Sequence, residues 1–73
     1  IWVFDNEPRN REIVKRISNT IEKGEQVIIW PTEIVEKDIN DMALAGHDIM
    51  SILESNTYSG LKAKVKFNTW KKV

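Results

Sequence analysis

The sequence predicts an α/β domain organised around a parallel β–α–β unit, and three observations carry that expectation. Ile1–Phe4 and Val27–Trp30 are unbroken apolar runs rich in β-favouring residues, the pattern of strands covered on both faces. Between them, Ile13, Val14, Ile17 and Ile21 recur at helical spacing among charged residues. Turn-forming residues separate the segments, with Pro8 ahead of the helical stretch, Gly24 behind it and Pro31 closing the second apolar run.

Length and composition set the frame. Seventy-three residues make one small domain at most, and a chain of this size buries only roughly 60% of its unfolded surface. A hydrophobic content of 41% with three Trp argues for a folded globule rather than a disordered segment. The chain has no cysteine, which excludes disulfides, thiolate metal sites and thiol chemistry and fits a cytoplasmic setting. No apolar run exceeds four residues, so no segment reads as a membrane span or as the apolar core of a signal peptide. The chain opens on Ile1, already inside a strand-like run, and is expected to be part of something longer.

Each element has its own justification. Pro8 suits a first helical turn, where its missing N–H goes unused, and Gly24 suits a left-handed C-cap, with Lys23 in the last turn. Strand, helix and strand within thirty residues imply a right-handed crossover between parallel strands, a small Rossmann-like core. Trp2 and Trp30, within the apolar runs, are expected in the core. Ligands of open α/β sheets sit beyond the carboxyl ends of the strands, which places Asp5 at one such end and Pro31-Thr32-Glu33 at the other. Asp38 then reads as the N-cap of a short helix carrying Ile39, Met42 and Ala43 and ending at Gly46. A second short helix over 48–55 carries Ile49, Ile52 and Leu53, and His47, the sole histidine, falls in the turn between the two. Over 61–67, Leu61, Ala63, Val65 and Phe67 alternate with Lys62, Lys64 and Lys66, which favours a half-exposed edge strand. Tyr58, Leu61 and Val65 also fit one helical face, so both forms stay open.

Two stretches carry candidate chemistry. Asp5 and Glu7, spaced one residue apart at a strand end, offer hard oxygen ligands suited to Mg²⁺, an ion typically held by one or two carboxylates that keeps waters for substrate phosphates. A following helix N-terminus favours the phosphate itself. The plainer reading makes Glu7 an N-cap and Asp5 a loop acid. Lys37-Asp38-Ile39-Asn40-Asp41 presents a cation and two acids at the same sheet edge, either as a phosphate contact with supporting acids or simply as a helix cap. A lone histidine supplies no metal cluster or triad, and the glycine-rich phosphate loops and the nucleophile elbow are absent.

Taken in order, "WVFDNEPRNREIVKRI", "GEQVIIWP" and "KDINDMALAG" resemble the second half of a TOPRIM domain, in which an apolar strand ends in D-x-D and a later K-D-x-N-[DE] run opens a helix. The wording is most similar to the DNA primase subunits of T-even-like bacteriophages, and the similarity extends through "NTYSGLKAKVKFNTWKK". The resemblance implies a partial TOPRIM-like domain over 1–73, with Asp5 and Glu7 as ligands of catalytic Mg²⁺ (Mn²⁺ as the alternative ion). It implies that Lys37, Asp38, Asn40 and Asp41 line the same catalytic site. The implied reaction is synthesis of an RNA primer on a single-stranded DNA template from NTPs, with a replicative helicase as a partner, in the cytoplasm of a bacterial host. The sequence departs from the family pattern in two ways. Glu7 replaces the second Asp, and the Glu-bearing strand of the family has no counterpart ahead of Ile1. This segment alone is therefore expected to be inactive.

Charge is uneven. Residues 1–60 carry six Lys or Arg against eleven Asp or Glu, whereas 61–73 carry five Lys and no acid. Lys62, Lys64, Lys66 and Trp70, with Tyr58 and Phe67 nearby, make a basic, aromatic segment suited to single-stranded nucleic acid. Packing of those aromatics in the core is the competing reading. The alternative function is accordingly a non-catalytic replisome or nucleic-acid-binding module using this basic segment. A phosphoacceptor domain with Asp5 as target is disfavoured, because three strands at most cannot build its sheet. Open strand edges also favour a homo-oligomer.

Overall fold

A computed structural model describes all 73 residues. The elements run α1 (Arg11–Glu22), β1 (Val27–Ile28), α2 (Ile39–Leu44), α3 (Ile49–Ser55), β2 (Thr57–Tyr58) and α4 (Gly60–Trp70). The α/β class holds, but the sheet is not the expected one. β1 pairs antiparallel with β2, with Val27 opposite Tyr58 and Ile28 opposite Thr57. The parallel partner of β1, residues 1–4, contributes a single bridge at Trp2, made by Trp2 N–H to the Gln26 carbonyl and Ile28 N–H to the Trp2 carbonyl, both at 3.0 Å. A parallel Rossmann-like ladder is therefore not formed. The apolar run 1–4 turns away after one residue of pairing, and the antiparallel strand, reached through α3, takes the other side of β1.

α1 starts three residues later than Pro8 suggests. Asn10 is its N-cap, with Oδ1 accepting from the N–H groups of Glu12 and Ile13 at 3.0 and 3.3 Å, so Pro8 sits in the preceding turn. The helix ends as expected at Gly24, whose φ of 76° is the left-handed geometry glycine tolerates. The N–H of Glu25 reaches back to the Thr20 carbonyl at 3.2 Å and satisfies an otherwise orphaned end. α2 and α3 start where the sequence indicates, on Asp38 and Asp48, whose carboxylates accept from Asp41 N–H and Ser51 N–H.

The segment 61–70 is helical, which resolves the choice the sequence left open against the favoured strand. Ala63, Phe67 and Trp70 are buried at i, i+4 and i+7 and pack α4 on α1. Leu61 and Val65, which suggested the alternation, face solvent. The core comprises Ile17, Ile21, Val27–Trp30, Ile34, Met42, Ala63, Phe67 and Trp70. Trp30 lies in it as expected, donating its indole N–H to the Phe4 carbonyl at 2.8 Å. Trp2 does not. It is half exposed, stacks on Phe4 and donates to Glu25, and the single bridge to Val27 is all that ties it to the sheet.

Candidate functional site

The apolar run 1–4 delivers the chain to Asp5-Asn6-Glu7, and the middle residue organises everything around it. Asn6 is buried, while Asp5 is exposed and Glu7 half buried. The main-chain N–H of Asn6 donates to the Lys37 carbonyl at 2.6 Å. Its side-chain Nδ2 donates to the carbonyls of Ile34 and Glu36 at 2.9 and 3.0 Å, and its Oδ1 accepts from Trp70 Nε1 at 2.9 Å. One side chain thus ties the acidic loop to the 34–37 loop and to the end of α4. The two stretches singled out by sequence are brought side by side through that residue.

Within this arrangement the predicted site residues differ in freedom. Asp38 is half buried and one of its oxygens caps α2, accepting from Asp41 N–H at 2.9 Å. Lys37, Asn40 and Asp41 are exposed. None of Asp5, Glu7, Lys37, Asp38 or Asp41 forms an ion pair, since the molecule's three pairs are Arg16–Glu12, His47–Glu36 and Lys64–Glu22. No three acidic, histidine or cysteine side chains gather closely enough to form a metal cage by themselves. What the loops offer is an exposed and a half-buried carboxylate beside a loop that carries one exposed cation, Lys37.

Glu36 and His47 add a feature the sequence did not flag. His47 lies in the α2–α3 turn as expected, and its Nε2 meets Glu36 Oε1 at 2.7 Å. The Glu36 main-chain N–H and then the His47 ring hold the Glu36 carboxyl below its usual range. This contact fastens the loop that carries Lys37 to the helical pair α2–α3. No spacing rule would have revealed it, because it spans eleven residues across an irregular loop. Asn6 was equally hidden, standing as the variable residue of a D-x-E step.

In the basic segment the structure separates residues the sequence grouped. On α4 a two-residue step turns roughly 200°, so Lys64 lies away from Lys62 and Lys66 and approaches Glu22 at 3.9 Å. No continuous lysine stripe forms. Trp70 is 3% exposed with its N–H engaged by Asn6, which removes it as a base-stacking surface. Lys62 and Lys66 instead converge on the ring of Tyr58, their ammonium groups 5.8 and 5.6 Å from its centroid.

No protein-family model matches the chain. Over an alignment of 78 residues that takes in the whole chain, the sequence is 33% identical to the DNA primase of Enterobacteria phage T4. The chain spans 23% of that protein's length. It is similar, then, to a segment of a phage DNA primase. No helix is long and apolar enough to cross a membrane.

Proposed function

We propose that the chain is the metal-carrying part of a TOPRIM-type catalytic domain in a phage DNA primase, serving Mg²⁺-dependent synthesis of RNA primers on single-stranded DNA from NTPs. The observation that supports this most directly is the Asn6 junction, which holds the Asp5–Glu7 loop against the loop leading into Lys37–Asp41. Similarity to the T4 primase over the full chain supports the reaction class. A replicative helicase and further copies of the chain are partners of this reading, and the bacterial cytoplasm is its setting.

The donor set fits Mg²⁺ or Mn²⁺. Asp5 and Glu7 are hard oxygen donors, neither of them in an ion pair, and Mg²⁺ is commonly held by one or two carboxylates with waters and phosphates completing its shell. The bound ion would supply charge neutralisation on nucleotide phosphates and lower the pKa of an attacking hydroxyl. Lys37, exposed at the start of the second stretch, contributes a mobile cation for phosphate charge. Asp38 holds α2 in place through its cap, which aims Asn40 and Asp41 from a fixed first turn.

The test is a backbone NMR titration with Mg²⁺ followed by trace Mn²⁺, on the wild type and on Asp5→Asn. Selective broadening of amides at Asp5, Glu7 and Asp38–Asp41, lost in Asp5→Asn, is the expected result. Broadening scattered over all acidic residues would reduce the two stretches to loop and cap chemistry.

A further inference from the structure

The main chain that carries Asp5 and Glu7 is fastened at every residue from Phe4 to Pro8, while neither carboxylate enters an ion pair. The Asp5 carbonyl accepts from Glu7 N–H at 2.9 Å, and the Glu7 carbonyl accepts from Asn10 N–H at 3.0 Å. Between them the Asn6 N–H is held on the Lys37 carbonyl. At the two ends, the Phe4 carbonyl accepts from the Trp30 indole and the Pro8 carbonyl from the Lys72 main-chain N–H, both at 2.8 Å.

Two of the ties come from tryptophan side chains. The parallel bridge at Trp2 uses Gln26 and Ile28, so the next rung of that ladder would bring the main-chain N–H of Trp30 to the Phe4 carbonyl. That rung is absent. The Trp30 indole takes its place, and a side chain rather than the backbone spans the gap where residues 1–4 leave β1. Two residues on, the Trp70 indole donates to Asn6 Oδ1 at 2.9 Å. Both rings lie in the core, 2% and 3% exposed. An indole N–H can only donate, and a close-packed ring cannot swing it elsewhere. Each indole is therefore a fixed point that holds one atom of the loop.

We propose that Trp30 and Trp70 are positioning residues for the Asp5–Glu7 carboxylate pair, holding the loop on both sides of Asp5 so that a divalent cation meets its protein ligands already in place. The inference rests on the metal-carrying reading of this loop. A cation held by only two carboxylates gains little from each, so a loop that had to be ordered on binding would give up much of that gain. Groups that orient the ligands without touching the ion remove that cost. Through Trp70, and through Lys72 N–H on Pro8, α4 becomes part of the frame of the site although it carries no ligand. Trp2 is the internal contrast, because its half-exposed indole donates to Glu25 and not to the loop.

The experiment is an NMR titration with Mn²⁺ that follows the Asp5 and Glu7 amides in the wild type, Trp30→Phe and Trp70→Phe, with Trp2→Phe and Ile21→Val as controls. Urea unfolding of each variant accompanies it. Trp30→Phe and Trp70→Phe should each raise the Mn²⁺ concentration that half-broadens these amides by about tenfold. Trp2→Phe, and Ile21→Val, which thins the core without removing a tie to the loop, should stay within about twofold of wild type. In metal-free Trp70→Phe the Asn6 amide should exchange with solvent faster than the change in unfolding free energy accounts for. Should a Phe variant fail to fold, benzothienylalanine at that position, introduced by chemical synthesis, keeps the bicyclic ring with sulfur in place of N–H and decides instead. Folded indole variants that bind Mn²⁺ as the wild type does, or an Asn6 amide that exchanges no faster than stability predicts, would overturn the proposal and leave the metal-carrying reading standing. Equal losses in Trp2→Phe or Ile21→Val would also overturn it, since affinity would then follow stability alone. A wild type without selective broadening would sink that reading and this inference together, and it would do so before any indole is changed.

Discussion

At the scale of single residues, Asn6 does what neither acid beside it can do. A buried amide presents two donors and an acceptor at once, and here both carbonyls and the Trp70 indole take them up with good geometry. No buried side-chain nitrogen or oxygen is left without a partner in the molecule, so this junction is fully satisfied. Removing one member of such a set leaves the others desolvated and unpaired, at about 1–3 kcal/mol per group. Asn6→Ala should therefore lower the unfolding free energy by about 2–3 kcal/mol. Asn6→Asp is the sharper variant. Its ionised carboxylate would face the Ile34 and Glu36 carbonyls with no proton to donate, so it should be at least as damaging as Ala at neutral pH. Protonation restores one donor, so its deficit relative to wild type should shrink in acid. Urea unfolding at two pH values checks this. A deficit independent of pH would mean that the loops rearrange around residue 6 rather than hold against it.

At the scale of elements, the loop from Pro31 to Asp38 is irregular yet fixed from two sides, by Asn6 and by the Glu36–His47 contact. The folded-state pKa of Glu36 is depressed below 4.5, so its contribution to stability is present above that value and is lost as pH falls through the folded pKa. Glu36→Gln removes this dependence. The melting temperature of wild type should exceed that of Glu36→Gln at mildly acidic pH, and the difference should vanish as the pH drops well below 4.5. A difference constant across that range would show that the hydrogen bond and not the charge holds the loop. The same element scale explains what sequence could reveal. Caps and stops were legible because Asp38, Asp48, Gly24 and Gly46 act on their own neighbours. α4 stayed open between strand and helix because Lys at every second position from 62 to 66 imitates a strand, while the decisive burial of Ala63, Phe67 and Trp70 depends on α1 being there to pack against. The parallel sheet was overread because an apolar run states a preference for burial and does not say how many residues will pair. Of the candidate site, the two motif stretches were visible in sequence, but the residue that joins them was not, since its partners lie 28 to 64 positions away.

At the scale of the whole molecule, the fold leaves one edge unfinished. Residues 1–4 pair with β1 only through Trp2, and Val3 makes no main-chain hydrogen bond, so its N–H and carbonyl are free on the outer side. Around it Ile1 is 75% exposed and Val3 42%, and Met50 of α3, 66% exposed, lines the same apolar concavity as both. Unpaired main-chain groups flanked by exposed apolar side chains form a template for another strand. With only thirteen buried residues, the domain has little core of its own to set against that gain. The simplest closed arrangement is a twofold pair in which two copies of this edge meet antiparallel. Sedimentation should then show dimer growing with concentration in the wild type. Val3→Lys places a charge at the centre of the edge, a common means by which sheets discourage such contacts. It should return the chain to monomer while changing its stability by no more than about 0.5 kcal/mol, as expected for an exposed position. A wild type that stays monomeric at every concentration would mean that four residues with one bridge are too short an edge to recruit a partner. The exposed Ile1, Val3 and Met50 would then be unpaired apolar surface and nothing more.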